Sequence, residues 1–465
     1  MTADNICWRR LTAWLLTAAA VVVTVPLLAR DLWFDEALTL LHFALLPSVP
    51  AIWKAYVIPN NQLLHTVLLH FWMPVTDGWL PLNEGLRLMP LLTTLILILV
   101  LWRGFVRSCG WAALAVTVTA WILSPPFALF ASSLRGYMLA ALAVTAALLA
   151  ARRWAVVGGW LAAAGFFAAA FAGVAAVPTT LPGIGAALLL AFADRRPWRN
   201  RRFWAAAGLA LAAFGACYGG IATAFLAVCR LGEGWHNKWA ACGAIGLAML
   251  SALGPVLAVA GFFYLRRLRK RRLPGDIWRL CIWLAPVPAC LLLPVAPFPR
   301  VFWCFFPVWV VLAARGLRPF FAWARRCHRQ WQAAACLLIA VVAWGATMND
   351  GAAWISDRLI GGDDDFFAPY YRRADFQPSA LMAQIRQRYA AAGNDHPVLY
   401  ASFAADPWAL YLYGRMTGME IRFDGPRGTA AGPFDGAVFR RDETLPEVWK
   451  NAGTWFQWKD WVVVK

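Results

Sequence analysis

Eleven apolar runs leave this sequence little choice of fold. They fall at 11–29, 87–103, 110–130, 136–151, 154–177, 178–193, 203–229, 239–264, 277–296, 301–317 and 331–348. A helix that crosses a bilayer needs about 20 mostly apolar residues. Hydrocarbon offers no partner for an open backbone group, so runs of about this length read as spanning helices. Composition agrees. The chain is 61% hydrophobic and 14% charged, against roughly 25% charged for a soluble domain. Its 28 tryptophans suit repeated crossings of the hydrocarbon–water boundary. The first run follows Arg9-Arg10 and ends in Leu27-Leu28-Ala29-Arg30-Asp31 without a small-x-small cleavage site. It therefore reads as a retained helix rather than a signal peptide.

The net charge of +19 is unevenly spread. Residues 1–348 hold 30 Lys and Arg against 9 Asp and Glu, whereas residues 349–465 hold 13 against 15. The excess thus lies in short clusters between apolar runs, which is a membrane-topology signal and excludes nucleic acid as the expected partner. With a cytoplasmic N-terminus, 22 of these basic residues fall inside, from Arg9 to the cluster Arg315–Arg329. The outer loops carry Arg30, Lys54, Arg87, Arg135, Arg230, Lys238 and Arg300. The orientation expected is that of a multi-pass bacterial inner-membrane protein with its C-terminus in the periplasm. No Cys lies beyond Cys336 and no CxxC pair occurs, so neither a disulfide framework nor a zinc site is expected.

Two regions outside the spans are large. The outer loop 30–86 contains two stretches, Leu38–Leu46 and Leu63–Trp72, that read as short amphipathic helices at the interface. Composition then shifts at Met348. Beyond it, Gly361–Asp365 reads as a loop, Ser379–Ala391 as a helix, Pro397–Phe403 as a strand, Trp408–Tyr413 as a helix start and Glu420–Phe423 as a strand. The expected fold is an α-helical polytopic membrane protein with about eleven transmembrane helices over 1–348. A small soluble α/β domain follows over 349–465.

Acids are scarce among the apolar runs, and three of the nine, Asp31, Asp35 and Glu36, cluster beyond the outer end of the first helix. Carboxylates near hydrocarbon are costly and usually functional. A solvated helix cap and a general base at the membrane surface are the two readings they allow. Arg135, followed by Tyr137, and Arg300 each stand alone in an outer loop, against the inside bias of positive charge. A guanidinium there suits bidentate pairing with phosphate, and contact with lipid headgroups or a pair with Asp31 is the simpler alternative. Pro59-Asn60-Asn61-Gln62-Leu63-Leu64-His65 is ordinary turn chemistry before a helix. The run Asp363–Asp365 lacks the glycine spacing of a calcium loop.

Five segments occur in order on the expected outer side. They are Leu32-Trp33-Phe34-Asp35-Glu36-Ala37, Asn60-Asn61-Gln62-Leu63-Leu64-His65, Leu86-Arg87-Leu88-Met89-Pro90, Leu134-Arg135-Gly136-Tyr137-Met138-Leu139, and Arg300-Val301-Phe302-Trp303 leading to Pro307 and Ala313–Leu317. Together they resemble the GT-C membrane glycosyltransferases, in particular the protein O-mannosyltransferase-like and lipid A aminoarabinose transferase-like group, over about residues 10–320. The resemblance implies transfer of a sugar from a polyprenyl-phosphate donor to a lipid, glycan or protein acceptor on the periplasmic face. It implies Asp35 as the catalytic carboxylate with Glu36 beside it. Arg135, Tyr137 and Arg300 then take the donor phosphate, and Asn60, Asn61 and His65 line the acceptor side. Arginines that neutralise one leaving phosphate need no metal, so neither a metal nor another cofactor is expected. The chain departs from the family at Ser132-Ser133, where relatives often carry Arg-Glu, and at Asn61-Gln62-Leu63, where they often carry His-Pro-Pro. Sugar and acceptor are therefore not carried over. A secondary transporter or lipid-carrier flippase is the alternative, although such proteins place ionisable groups at mid-membrane in broken helices.

Overall fold

The structure is a computed structural model and describes residues 3–56, 61–193, 199–230, 237–270, 279, 281–292, 298–359, 376–424, 433–450 and 452–465. It is a polytopic helical membrane protein with a small five-stranded sheet at its C-terminal end. Among the described residues seven helices are long and apolar enough to span, and an eighth span forms if a bent pair is counted as one. The long ones include Leu82–Cys109, Tyr137–Val156 and Phe306–Arg326.

The eleven expected runs all meet helices, but their lengths differ. Trp160–Ala176 and Thr180–Phe192 are apolar yet shorter than a full span. The run 110–130 divides into Trp111–Ile122 and Pro125–Ser132, bent by 73°. Pro125 and Pro126 supply no backbone N–H, and Ser124 before them is extended at ψ 141°, as a residue preceding proline must be. The run 277–296 is described at 279 and 281–292, with helix at 281–283 and Pro286–Leu292, and the rest lies outside the described residues.

Past the last span, the helix Gln330–Leu359 continues through Met348, so the composition change falls inside a helix. Gly361–Asp365 lies outside the described residues. Beyond it, helices Pro378–Ala391 and Pro407–Met416 pack against strands β1 (Val398–Ala401), β2 (Glu420–Arg422), β3 (Gly436–Arg440), β4 (Thr454–Trp458) and β5 (Trp461–Val464), ordered β2-β1-β3-β5-β4. The pairs β1–β2 and β1–β3 are parallel, and β5 runs antiparallel to both β3 and β4. Burial in β1 alternates and β3 is buried over four residues, as a sheet covered by helices requires.

This sheet domain is not a free appendage. Leu32, Ala37, Leu40, Leu86 and Leu134 from the membrane part share one buried apolar cluster with Leu381, Ile385, Leu410 and Tyr413. The polar contacts are specific. Tyr413 Oη accepts the Leu32 N–H at 2.8 Å and donates to Asn83 Oδ1 at 2.8 Å. The Asp31 carboxylate accepts from Asn83 Nδ2 at 3.1 Å and from the Ser379 N–H at 2.8 Å. Asp31 therefore anchors the C-terminal domain and does not pair with Arg135.

Candidate active site

Asp35 and Glu36 open a short helix, Phe34–Thr39, that passes into one π-helical turn, Leu40–Ala44. Consecutive helical residues point about 100° apart, so the two acids face different neighbours.

Glu36, expected beside the chemistry, is turned inward and 0% exposed. Arg87 meets it end-on, with Nη2 at 2.6 Å from Oε2 and Nη1 at 3.2 Å from Oε1. The Leu134 N–H donates to Oε1 at 2.6 Å and the Trp33 N–H to Oε2 at 3.4 Å. Arg87 also donates to the carbonyls of Ser132 at 2.8 Å and Asp31 at 3.1 Å. This buried pair thus clamps the acid-bearing helix, the start of Leu82–Cys109 and the 132–136 turn into one unit. Sequence reasoning placed Arg87 in an outer loop and within a motif but gave it no partner. Its signal was present in the lone arginine that opens an apolar helix, one turn before Pro90.

Asp35 faces the other way and keeps 8% exposure. Arg300 Nη2 lies 3.2 Å from its Oδ2, and Arg135 Nη2 lies 4.0 Å from the same oxygen. Two cations from distant parts of the chain therefore converge on one carboxylate. Arg135, in the four-residue turn between Pro125–Ser132 and Tyr137–Val156, is held by Thr39 Oγ1 at 3.1 Å. Arg300 sits in the 3₁₀ segment Pro299–Phe305, with its guanidinium over the Phe298 ring at 4.6 Å and the Trp33 ring at 5.7 Å. An aromatic bridge fixes the spacing of the two elements. Trp303 packs on Phe130 at 4.8 Å, and Phe130 packs edge-on to Tyr137 at 5.0 Å.

The interfacial helix is Leu63–Thr76. Asn60 lies outside the described residues. Asn61, expected on the acceptor side, is spent on the loop: its Nδ2 donates to the carbonyls of Ile52 and Ala55 at 3.0 Å, and its Oδ1 accepts from Thr66. The contact that sequence reasoning did not assign is Gln62, whose Oε1 accepts the Gly136 N–H beside Arg135. Any side chain would be tight there, because a Cβ at Gly136 would stand 3.1 Å from both Gln62 Oε1 and the Ala176 carbonyl oxygen and 3.2 Å from the His65 Cβ. His65 is buried, and desolvation, reinforced by the nearby Arg135 charge, lowers its pKa to about 3. It is thus a neutral imidazole at working pH. His65 Nε2 and the Tyr137 hydroxyl are both buried without a hydrogen-bond partner among the described residues. An unpaired buried polar atom costs about 1–3 kcal/mol, and both of these lie near the Arg135 guanidinium, where a polar ligand would satisfy them.

Fold and site together define a polytopic helical membrane protein in which Arg135 and Arg300 gather on the Asp35 carboxylate. The fold is shared with ArnT from Cupriavidus metallidurans: the crystal structure in the apo state gives a TM-score of 0.57 at 14% identity, covering 99% of this chain and 98% of that one. The crystal structure of the same protein bound to undecaprenyl phosphate gives a TM-score of 0.57 at 15% identity, covering 100% and 98%. No protein-family model and no curated protein matches the chain.

Proposed function

We propose that the chain transfers a sugar from a polyprenyl-phosphate donor to an acceptor, with Asp35 as general base. The observation that carries this reading is the convergence of Arg135 and Arg300 on the single partly exposed carboxylate of Asp35. Shared fold with a protein crystallised with undecaprenyl phosphate supports it. In the proposed step the acceptor hydroxyl gives its proton to Asp35 as its oxygen bonds to the anomeric carbon. The bond from that carbon to the phosphate oxygen breaks, and its electron pair leaves on the lipid phosphate. Arg135 and Arg300 neutralise the growing charge where water is scarce and fixed cations count most. Before donor binding Asp35 occupies the place of the phosphate. A donor that takes over both guanidiniums would release the carboxylate to act as a base. Tyr137 and the neutral His65 supply polar contacts at the same cleft, whereas Glu36 positions the turn that carries Arg135.

Arg135→Lys should cut transfer sharply although the charge remains, because an ammonium cannot span two oxygens as a guanidinium does. Transfer by the wild-type chain should survive chelation. Wild-type activity in the lysine variant, or loss in chelator restored by magnesium, would refute the phosphate role of the arginines.

We place the Asp35 end of the bundle and the C-terminal domain on the periplasmic face of a bacterial inner membrane, because the basic clusters gather at the other end. A reporter fused after Lys465 should be active only in the periplasm. Activity only in the cytoplasm would invert the assignment.

A further inference from the structure

A second feature lies at the end of the bundle opposite Asp35. Ser108 closes the helix that begins near Arg87, and 21 residues at 1.5 Å rise set it about 30 Å from the acid cluster. There a cavity of about 750 Å³ opens between the helices Lys238–Lys270 and Phe306–Arg326. Its walls are mostly apolar, with Leu257, Phe263 and Leu312 among them, and among the described residues three arginines, Arg279, Arg315 and Arg318, are its charged lining. Arg318 is drawn in by the Ser108 carbonyl at 3.4 Å. Leu265 belongs to the same wall and is 61% exposed, so the cavity reaches the bundle's lateral surface. Gly316, on the floor, lets the two helices touch, since a Cβ there would stand 2.8 Å from that of Ala260.

Topology alone asks only that basic residues end up on this side. It does not ask that three of them face one apolar cleft. A cluster of cations beside an apolar wall open to the bilayer matches one kind of molecule, with phosphate at its head and hydrocarbon behind. We propose that this cavity binds an anionic phospholipid of the adjacent leaflet, its headgroup phosphate on the three arginines and an acyl chain along the Leu257–Leu265 wall. Basic pockets between membrane helices hold anionic headgroups by the same balance of charge and apolar contact. The site is independent of the sugar-transfer reading, and so is its test.

The test uses the full chain purified in detergent. Phosphatidylglycerol should raise its unfolding temperature, whereas phosphatidylcholine and inorganic phosphate should not. The R279Q/R315Q/R318Q variant should require on the order of 100-fold more phosphatidylglycerol for the same rise, the loss expected for three basic residues. R325Q/R326Q, which removes two exposed arginines further along the same helix, should respond as wild type. An equal response in the triple variant, an equal loss in the control pair, or full stabilisation by inorganic phosphate would each overturn the proposal. Should the triple variant not fold, native mass spectrometry of the wild-type protein decides. A retained anionic phospholipid supports the site, and its absence overturns it.

Discussion

Asp35→Asn should lower transfer by at least about 10²-fold, the usual cost of losing a general base, while the protein stays folded. Asparagine keeps the size and one acceptor oxygen but cannot take the acceptor's proton. The same change removes the carboxylate that holds Arg135 and Arg300, so affinity for the lipid phosphate should hold or rise. Separating the two readouts makes the prediction sharp. A binding assay with polyprenyl phosphate should show an unchanged or tighter complex, and a transfer assay should show near silence. Near-wild-type transfer by the folded variant would end Asp35's candidacy. Weak donor binding together with lost transfer would make Asp35 a structural partner of the arginines.

Glu36→Gln should fail differently, by instability. Arg87 and Glu36 are 4% and 0% exposed, and removing one member of a buried pair strands the other charge at a cost of about 3–5 kcal/mol. The single variant should therefore unfold at lower temperature and accumulate poorly. Replacing both residues, as in E36Q/R87M, removes the stranded charge and should recover a large part of the loss. Thermal unfolding in detergent measures both. A double variant no better than the single would mean that the bonds to Leu134 and Ser132, rather than the ion pair, hold the turn. The adjacent acids thus separate experimentally into one that sets rate and one that sets stability.

Much of this was legible in the sequence, for reasons that differ by element. Spanning helices announce themselves because hydrocarbon demands about 20 apolar residues in a row. The helices Pro378–Ala391 and Pro407–Met416 and strands β1 and β2 carry local periodicity and were anticipated within a few residues. Strands β3 to β5 were not, because their pairing is settled by partners up to 37 residues away and not by a local pattern. At the site, Asp35, Arg135 and Arg300 stood out by scarcity: each is a charge where hydropathy leaves little room for one. Which acid met which arginine was not readable. Asp31, Asp35 and Glu36 lie within six residues, and the separate partners of Asp35 and Glu36 follow from the rotation of one short helix that begins after Asp31. Tyr413 and Asn83 were invisible for a related reason, as a tyrosine in an amphipathic helix carries no mark of the distant N–H it will meet.

The Tyr413 contact also bears on the order in which the protein is made. Leu32 and Tyr413 are 381 positions apart, and at about 5–20 residues per second the ribosome takes roughly 20–80 s to travel between them. For that interval the segment carrying Asp35 has left the membrane without the surface that later covers Leu32, Ala37 and Leu40. Its apolar side and its open N–H must be tolerated by the bilayer interface or by a chaperone. The acid-bearing helix is thus among the first parts of the chain to be made and among the last to reach its final surroundings.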